Sequence, residues 1–134
     1  MRIVQLILDF LGIKLQKSIK NQNSFPLLTQ ILSSTKWSVS YYHDNYNDQS
    51  VKLNHYSLTF GANGTFTASG KDFETKGKWY VNDNLNKLII YVNTKEPISE
   101  LSDEWVIEEC SISNLKLGDD KFDSNEKLHL VSKK

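Results

Sequence analysis

Cysteine is nearly absent. Cys110 is the single one in 134 residues, so no internal disulfide can form and stability has to come from packing and backbone pairing. Free cysteine behaves as a small hydrophobe, and no histidine motif surrounds Cys110, so it is expected as a buried strand residue rather than a nucleophile. Net charge is absent too. Sixteen Lys and Arg balance sixteen Asp and Glu. Nucleic-acid binding needs clustered cations that displace counterions, and that class is excluded here. The balance also gives little colloidal repulsion. The chain lacks a Gly-rich phosphate loop, a His-x-x-x-His pair and a Gly-x-Ser-x-Gly elbow. With no catalytic constellation visible, the expectation is a noncatalytic protein with no metal or cofactor. Low-complexity tracts and internal repeats are missing as well.

No apolar run is long enough to span a bilayer. The apolar stretch at residues 3–11 is short and carries Asp9, and no small-residue cleavage pattern follows it. Val4, Leu8, Leu11 and Leu15 fall on one helical stripe, with Lys14, Lys17 and Lys20 in the last turns, where cations suit the helix dipole. Residues 2–20 are therefore expected as a helix that buries its apolar first half. Docking on the core, a degenerate export signal and attachment to a membrane surface all remain open for it. A polar break at residues 20–27 contains Pro26, and a short helix is expected over residues 27–33. Residues 1–34 thus form a helical leader, and residues 35–134 a separate β domain.

The rest of the chain alternates. Eight strands are predicted over residues 36–43, 53–61, 65–69, 75–81, 87–93, 104–112, 114–118 and 126–132. Period-2 alternation puts Trp37, Val39 and Tyr41 on one face of the first strand, and Tyr56, Leu58 and Phe60 on one face of the second. Many short strands with turn signals favour a sandwich or barrel. The stretches 43–52, 70–74, 94–103 and 119–125 are the longer connections, and the shorter ones alternate with them. In an up-and-down meander the longer loops then gather at one rim. Asn63-Gly64 suits a tight hairpin, since both residues tolerate positive φ. The fold class expected is an eight-stranded antiparallel up-and-down β-barrel with an N-terminal helix. Closure removes the sheet edges, and an interior of that size holds either side chains or one small ligand.

The segments LSSTKWSVSYY, YSLTFGANGTFTASG, ETKGKWYV, NKLIIYV and DEWVIEE resemble those of bacterial lipocalin-like domains of the Bacteroidetes type. Leu58-Thr59-Phe60 with Gly64-Thr65-Phe66 matches that family's hairpin, and Gly77-Lys78-Trp79 its next strand. The resemblance covers residues 35–132 and implies a calycin-type barrel that binds a small apolar molecule. Relatives are commonly exported, often as lipoproteins. This chain has no lipobox cysteine, which leaves its compartment open. Thr35 stands where true lipocalins carry the glycine of Gly-x-Trp.

Tyr41, Tyr56 and Trp105 fall near the loop-rich mouth and are the candidate ligand-binding residues, an apolar lining with polar tips. The alternative is that they fill the barrel, which would make the chain a protein-interaction or scaffold module without a small-molecule ligand. Trp37, Phe60, Phe66 and Trp79 are expected as structural core. The acidic stretches around Asp44 and Asp48, and from Asp119 to Glu126, do not follow calcium-loop spacing and suit solvated turns. His43, His55 and His129 are expected at the surface. Glu108 and Glu109 are neighbours on one strand, so they are expected to point oppositely and form no acid/base dyad.

Overall fold

The computed structural model describes residues 25–82, 86–119 and 125–133. The helix expected over residues 2–20 lies outside them. Helix α1 (Phe25–Ser33) leads into β1 (Lys36–His43), followed by the short helix α2 (Ser50–Leu53), β2 (Ser57–Phe60), β3 (Thr65–Gly70), β4 (Phe73–Asn82) and β5 (Lys87–Tyr91). A 3-10 turn (Ile98–Leu101), β6 (Asp103–Cys110), β7 (Asn114–Asp119) and β8 (Lys127–Ser132) complete the order. Every strand pairs antiparallel with its sequence neighbour. β8 then returns to β1, with Trp37 opposite Ser132 and His43 opposite Lys127, so the sheet closes into an eight-stranded barrel.

The core follows from the alternation. Leu58 and Phe60 on β2, Phe66 and Ala68 on β3, and Leu115 and Leu117 on β7 have no accessible surface, while the residues between them are partly exposed. Both ends are stoppered. Leu28, Ile31 and Leu32 of α1 join the barrel core at the end where β1 begins. There Ser34 bonds back to the Ile31 carbonyl through both its N–H and its hydroxyl, which ends the helix and releases the chain into β1. At the opposite end Leu53 of α2 and Ile98 and Leu101 of the 3-10 turn are buried.

Each tryptophan pins one connecting element to the wall. The Trp37 indole N–H donates to the Leu32 carbonyl of α1 (2.9 Å), and that of Trp105 to the Leu101 carbonyl of the 3-10 turn (2.9 Å). The Trp79 indole donates to the Gly61 carbonyl at the β2–β3 turn (2.8 Å). A buried indole needs a partner for its N–H, and here that need fixes the position of a cap or turn.

Four local expectations change. Between Val39 and Tyr41 the β1–β8 register shifts at a bulge, so Tyr42 turns inward and Tyr41 faces out. A bulge adds a residue to one strand and so inverts the alternation beyond it. A second bulge, between Ile107 and Glu109, has the same effect on β6. Glu108 and Glu109 both face outward there and pair with Lys127 (2.6 Å) and Lys116 (3.7 Å). Strand β4 starts earlier than predicted, with Phe73 paired to Gly70, so the β3–β4 connection is a tight turn at Lys71-Asp72, where Asp72 has φ 60°. At Asn63-Gly64 only the glycine takes positive φ (91°). Its N–H bonds to the Gly61 carbonyl, and the Asn63 side chain accepts the Thr65 N–H (3.1 Å).

Candidate functional site

The loop-rich rim carries a concentration of half-buried ionisable groups. It follows from the β1 bulge. Tyr42 is 2 % exposed, and its hydroxyl lies 2.9 Å from Glu100 Oε1 and 2.8 Å from Glu126 Oε2. Glu100 comes from the 3-10 turn and Glu126 from the approach to β8. Asp103 at the start of β6 and Asp119 at the end of β7 adjoin them. One carboxylate oxygen each from Asp103, Asp119 and Glu126 lies within 4.8 Å of the others. Five elements of structure therefore meet through side-chain oxygens.

Electrostatics follow from burial. The Glu126 carboxyl is pushed up to about 7, first by burial and then by its hydrogen bond to Asp119 and the nearby charges of Asp103 and Asp119; the Tyr42 contact pulls the other way. The Tyr42 hydroxyl is held above its ordinary value by burial and by its two carboxyl neighbours. A hard cation could be held by three carboxylates at such spacing. Glu126, however, already accepts a hydrogen bond from the Tyr42 hydroxyl (2.8 Å). Backbone bonds hold it in place: the Asp119 N–H donates to the Glu126 carbonyl (3.1 Å), and the Asn125 N–H to Asn45 Oδ1 of the β1–β2 loop (2.7 Å).

The three residues selected from sequence lie in three settings. Trp105 is fully buried inside the barrel. Tyr56 sits at the rim, over the face of Gly70 and edge-on to Phe73 (6.1 Å). Tyr41 lies on the outer wall beside His129 (5.0 Å) and His43 (6.3 Å). Burial and the adjacent Lys116 hold the His129 imidazole below its usual value. Asp44 and Asp48 act as turn formers. Asp44 Oδ1 accepts the Tyr46 and Asn47 N–H groups, and Asp48 Oδ1 accepts the N–H and hydroxyl of Ser50. These bonds hold both carboxyls below the ordinary carboxylate value.

Sequence reasoning passed over Tyr42 and Glu100. It treated Asp119 and Glu126 as solvated turn residues and left Asp103 unassigned. Acids at the ends of neighbouring strands were the available signal. It becomes legible only when closure of the barrel brings β1, β6, β7 and β8 to one rim.

The same rim displays Tyr46 (88 % exposed), Val51 (73 %) and Phe73 (41 %). They come from the β1–β2 loop, α2 and the start of β4, at the same end of the barrel as the ionisable cluster.

A comparison with protein-family models gives no match, and neither does one with curated protein sequences. Among solved structures, the fold is similar to that of a DUF4847 family protein from Bacteroides vulgatus. The TM-score is 0.60 at 16 % identity, over 78 % of this chain and 96 % of that one. At that identity the likeness shows the barrel fold alone.

Proposed function

We propose that this chain is a noncatalytic, lipocalin-like barrel that acts as a protein-interaction module, with a filled interior and a docking face on its loop-rich rim. One observation carries the reading. Trp37, Leu58, Phe60, Phe66, Trp105 and Leu128, which come from β1, β2, β3, β6 and β8, have no accessible surface. No water-sized sphere touches them, either from outside or from a void within. A site for an apolar molecule needs about 300 Å³ or more, and its lining would be substantially exposed to that space. The stoppers at both ends, α1 below and Leu53, Ile98 and Leu101 above, support the same reading. Binding is left to the outside, where the exposed Tyr46, Val51 and Phe73 of the rim offer apolar contact area.

The test is titration with an apolar fluorescent dye. The wild-type protein is expected to give no saturable enhancement. Stoichiometric dye binding to the wild type, displaced by a fatty acid, would overturn the filled-barrel reading and restore the small apolar ligand. For the docking face, the double variant Tyr46→Ser with Val51→Ser is expected to leave the thermal midpoint unchanged and abolish binding to any partner identified. Unimpaired binding by that variant refutes the rim as the face used.

A further inference from the structure

We propose that the apolar stripe of residues 2–20 docks on the outer wall of its own barrel, over a patch built by Tyr80, Ile89, Tyr91 and Val106. The patch follows from strand alternation. Tyr80 stands between the buried Trp79 and Val81 on β4, Ile89 and Tyr91 flank the buried Ile90 on β5, and Val106 stands between the buried Trp105 and Ile107 on β6. All four therefore point away from the core. Strand pairing sets them side by side. Tyr80 is opposite Ile89, and Tyr91 is the next outward residue along β5. Val106 is opposite Lys87, which places it diagonal to Ile89. Tyr80 is 57 % exposed and Tyr91 is 60 % exposed. Around them the outward residues are charged: Lys76 and Lys78 on β4, Glu104 and Glu108 on β6. An apolar patch rimmed by charge marks a surface made to be covered.

Position and reach name the occupant. Strand β4 ends and β5 begins at the end of the barrel that α1 caps, so Tyr80 and Ile89 lie near that end. There α1 packs against β2 and β4, and the chain enters it at Phe25. Residues 16–24 join the stripe to Phe25, and a stretch of that length reaches roughly 30 Å at most. The tether thus starts from the end where the patch begins. Other apolar surfaces fit less well. Tyr46, Val51 and Phe73 belong to the opposite rim, the full length of β4 away. Ile112 is near α1 but stands singly between Ser111 and Ser113. Leu28, Ile31 and Leu32 of α1 are already in the core. In the helix expected from the sequence, Val4, Leu8, Leu11 and Leu15 extend along about 17 Å of one face. The patch spans three strands, about 10 Å, so Leu8 and Leu11 at the middle of the stripe fall on it. Contact removes apolar surface on both sides from water. It uses the wall and not the rim, so it stands whichever partner docks at the rim.

Paramagnetic relaxation in the full 15N-labelled chain tests it. The probe is a nitroxide on Asp9→Cys, a position on the helix face away from the stripe and far along the chain from Phe25. The native Cys110 is buried and escapes labelling. The amide signals of Tyr80, Ile89 and Tyr91 are expected to broaden, while those of Tyr46 and Val51 at the rim keep their intensity. Adding Leu8→Asp with Leu11→Asp restores the wall signals. Tyr80→Ser with Tyr91→Ser, both at exposed positions, likewise restores the signal of Ile89. Unbroadened wall amides overturn the proposal, whether the stripe is then found on anionic lipid vesicles or on nothing. Broadening that survives both pairs of substitutions overturns it as well. So does equal broadening in 15N copies that carry no nitroxide when they are mixed with labelled copies, because the stripe then sits on a neighbouring molecule.

Discussion

Truncation of Phe60 to alanine probes the claim that the barrel interior is solid. Phe60 has no accessible surface. Its ring meets Phe66 at 5.4 Å and stands edge-on to Trp79 at 5.3 Å. Removing a fully buried phenyl loses its transfer free energy and leaves a cavity that the rigid wall only partly collapses, together about 3–5 kcal/mol. The two ring contacts add roughly 0.5–1.5 kcal/mol each beyond buried area, which places the expected loss near the top of that range. A domain of this size has about 5–15 kcal/mol in total. Phe60→Ala should then fold, with a thermal midpoint lowered on the order of 15 °C. Urea unfolding followed by tryptophan fluorescence gives the free energy. Phe60→Leu, which conserves most of the volume, should lose only about 1.5 kcal/mol. A loss below about 1.5 kcal/mol for the alanine variant, close to that of the leucine variant, would mean that the ring already borders empty space, and the argument for a filled interior would fail.

The stabilising contribution of Glu126 should be lost as the pH rises through the neutral range, while His129, held below its usual value, contributes in the opposite direction. Glu126 binds its proton more tightly in the folded state, at about 7 against an ordinary 4.5, so its contribution is full below about pH 4.5 and is lost as the pH climbs through 7. The bound is roughly 3 kcal/mol and, with the carboxyl partly exposed, ~1–2 kcal/mol is expected; Glu126→Gln should flatten the decline in urea midpoints. Gly77→Ala should lose several kcal/mol in the same assay, since a Cβ there would stand 2.1 Å from the Tyr91 carbonyl oxygen and the backbone must yield. Wild-type behaviour in that variant would refute the close β4–β5 approach. The Cys110 thiol, pushed up to about 12 by burial, should resist a thiol reagent at about pH 8 until urea unfolds the chain. Tyr41→Ala should change stability by less than about 1 kcal/mol, whereas Tyr42→Ala should lose about 3–5 kcal/mol; equal effects would contradict the placement of the β1 bulge.

The sequence by itself determined the barrel. Strict alternation through Leu58-Thr59-Phe60, Thr65-Phe66-Thr67-Ala68 and Leu115-Lys116-Leu117 fixes which face of each strand is apolar, and short connections leave consecutive strands little choice but to pair. It determined Trp37 and Trp79 as core and Cys110 as a buried strand residue for the same reason, while Trp105 stood between a ligand-binding and a filling role. Tertiary structure decided what period 2 cannot encode. The bulges after Val39 and after Ile107 each add one residue to a strand, and nothing in the local pattern marks where the partner strand takes up the extra residue. One such insertion exchanged Tyr41 for Tyr42 on the inner face. Closure of β8 onto β1 then brought acids far apart in sequence to that hydroxyl. The site exists because an inward-turned tyrosine at the barrel's end needs polar partners, and only the closed sheet supplies Glu100 and Glu126 to meet it.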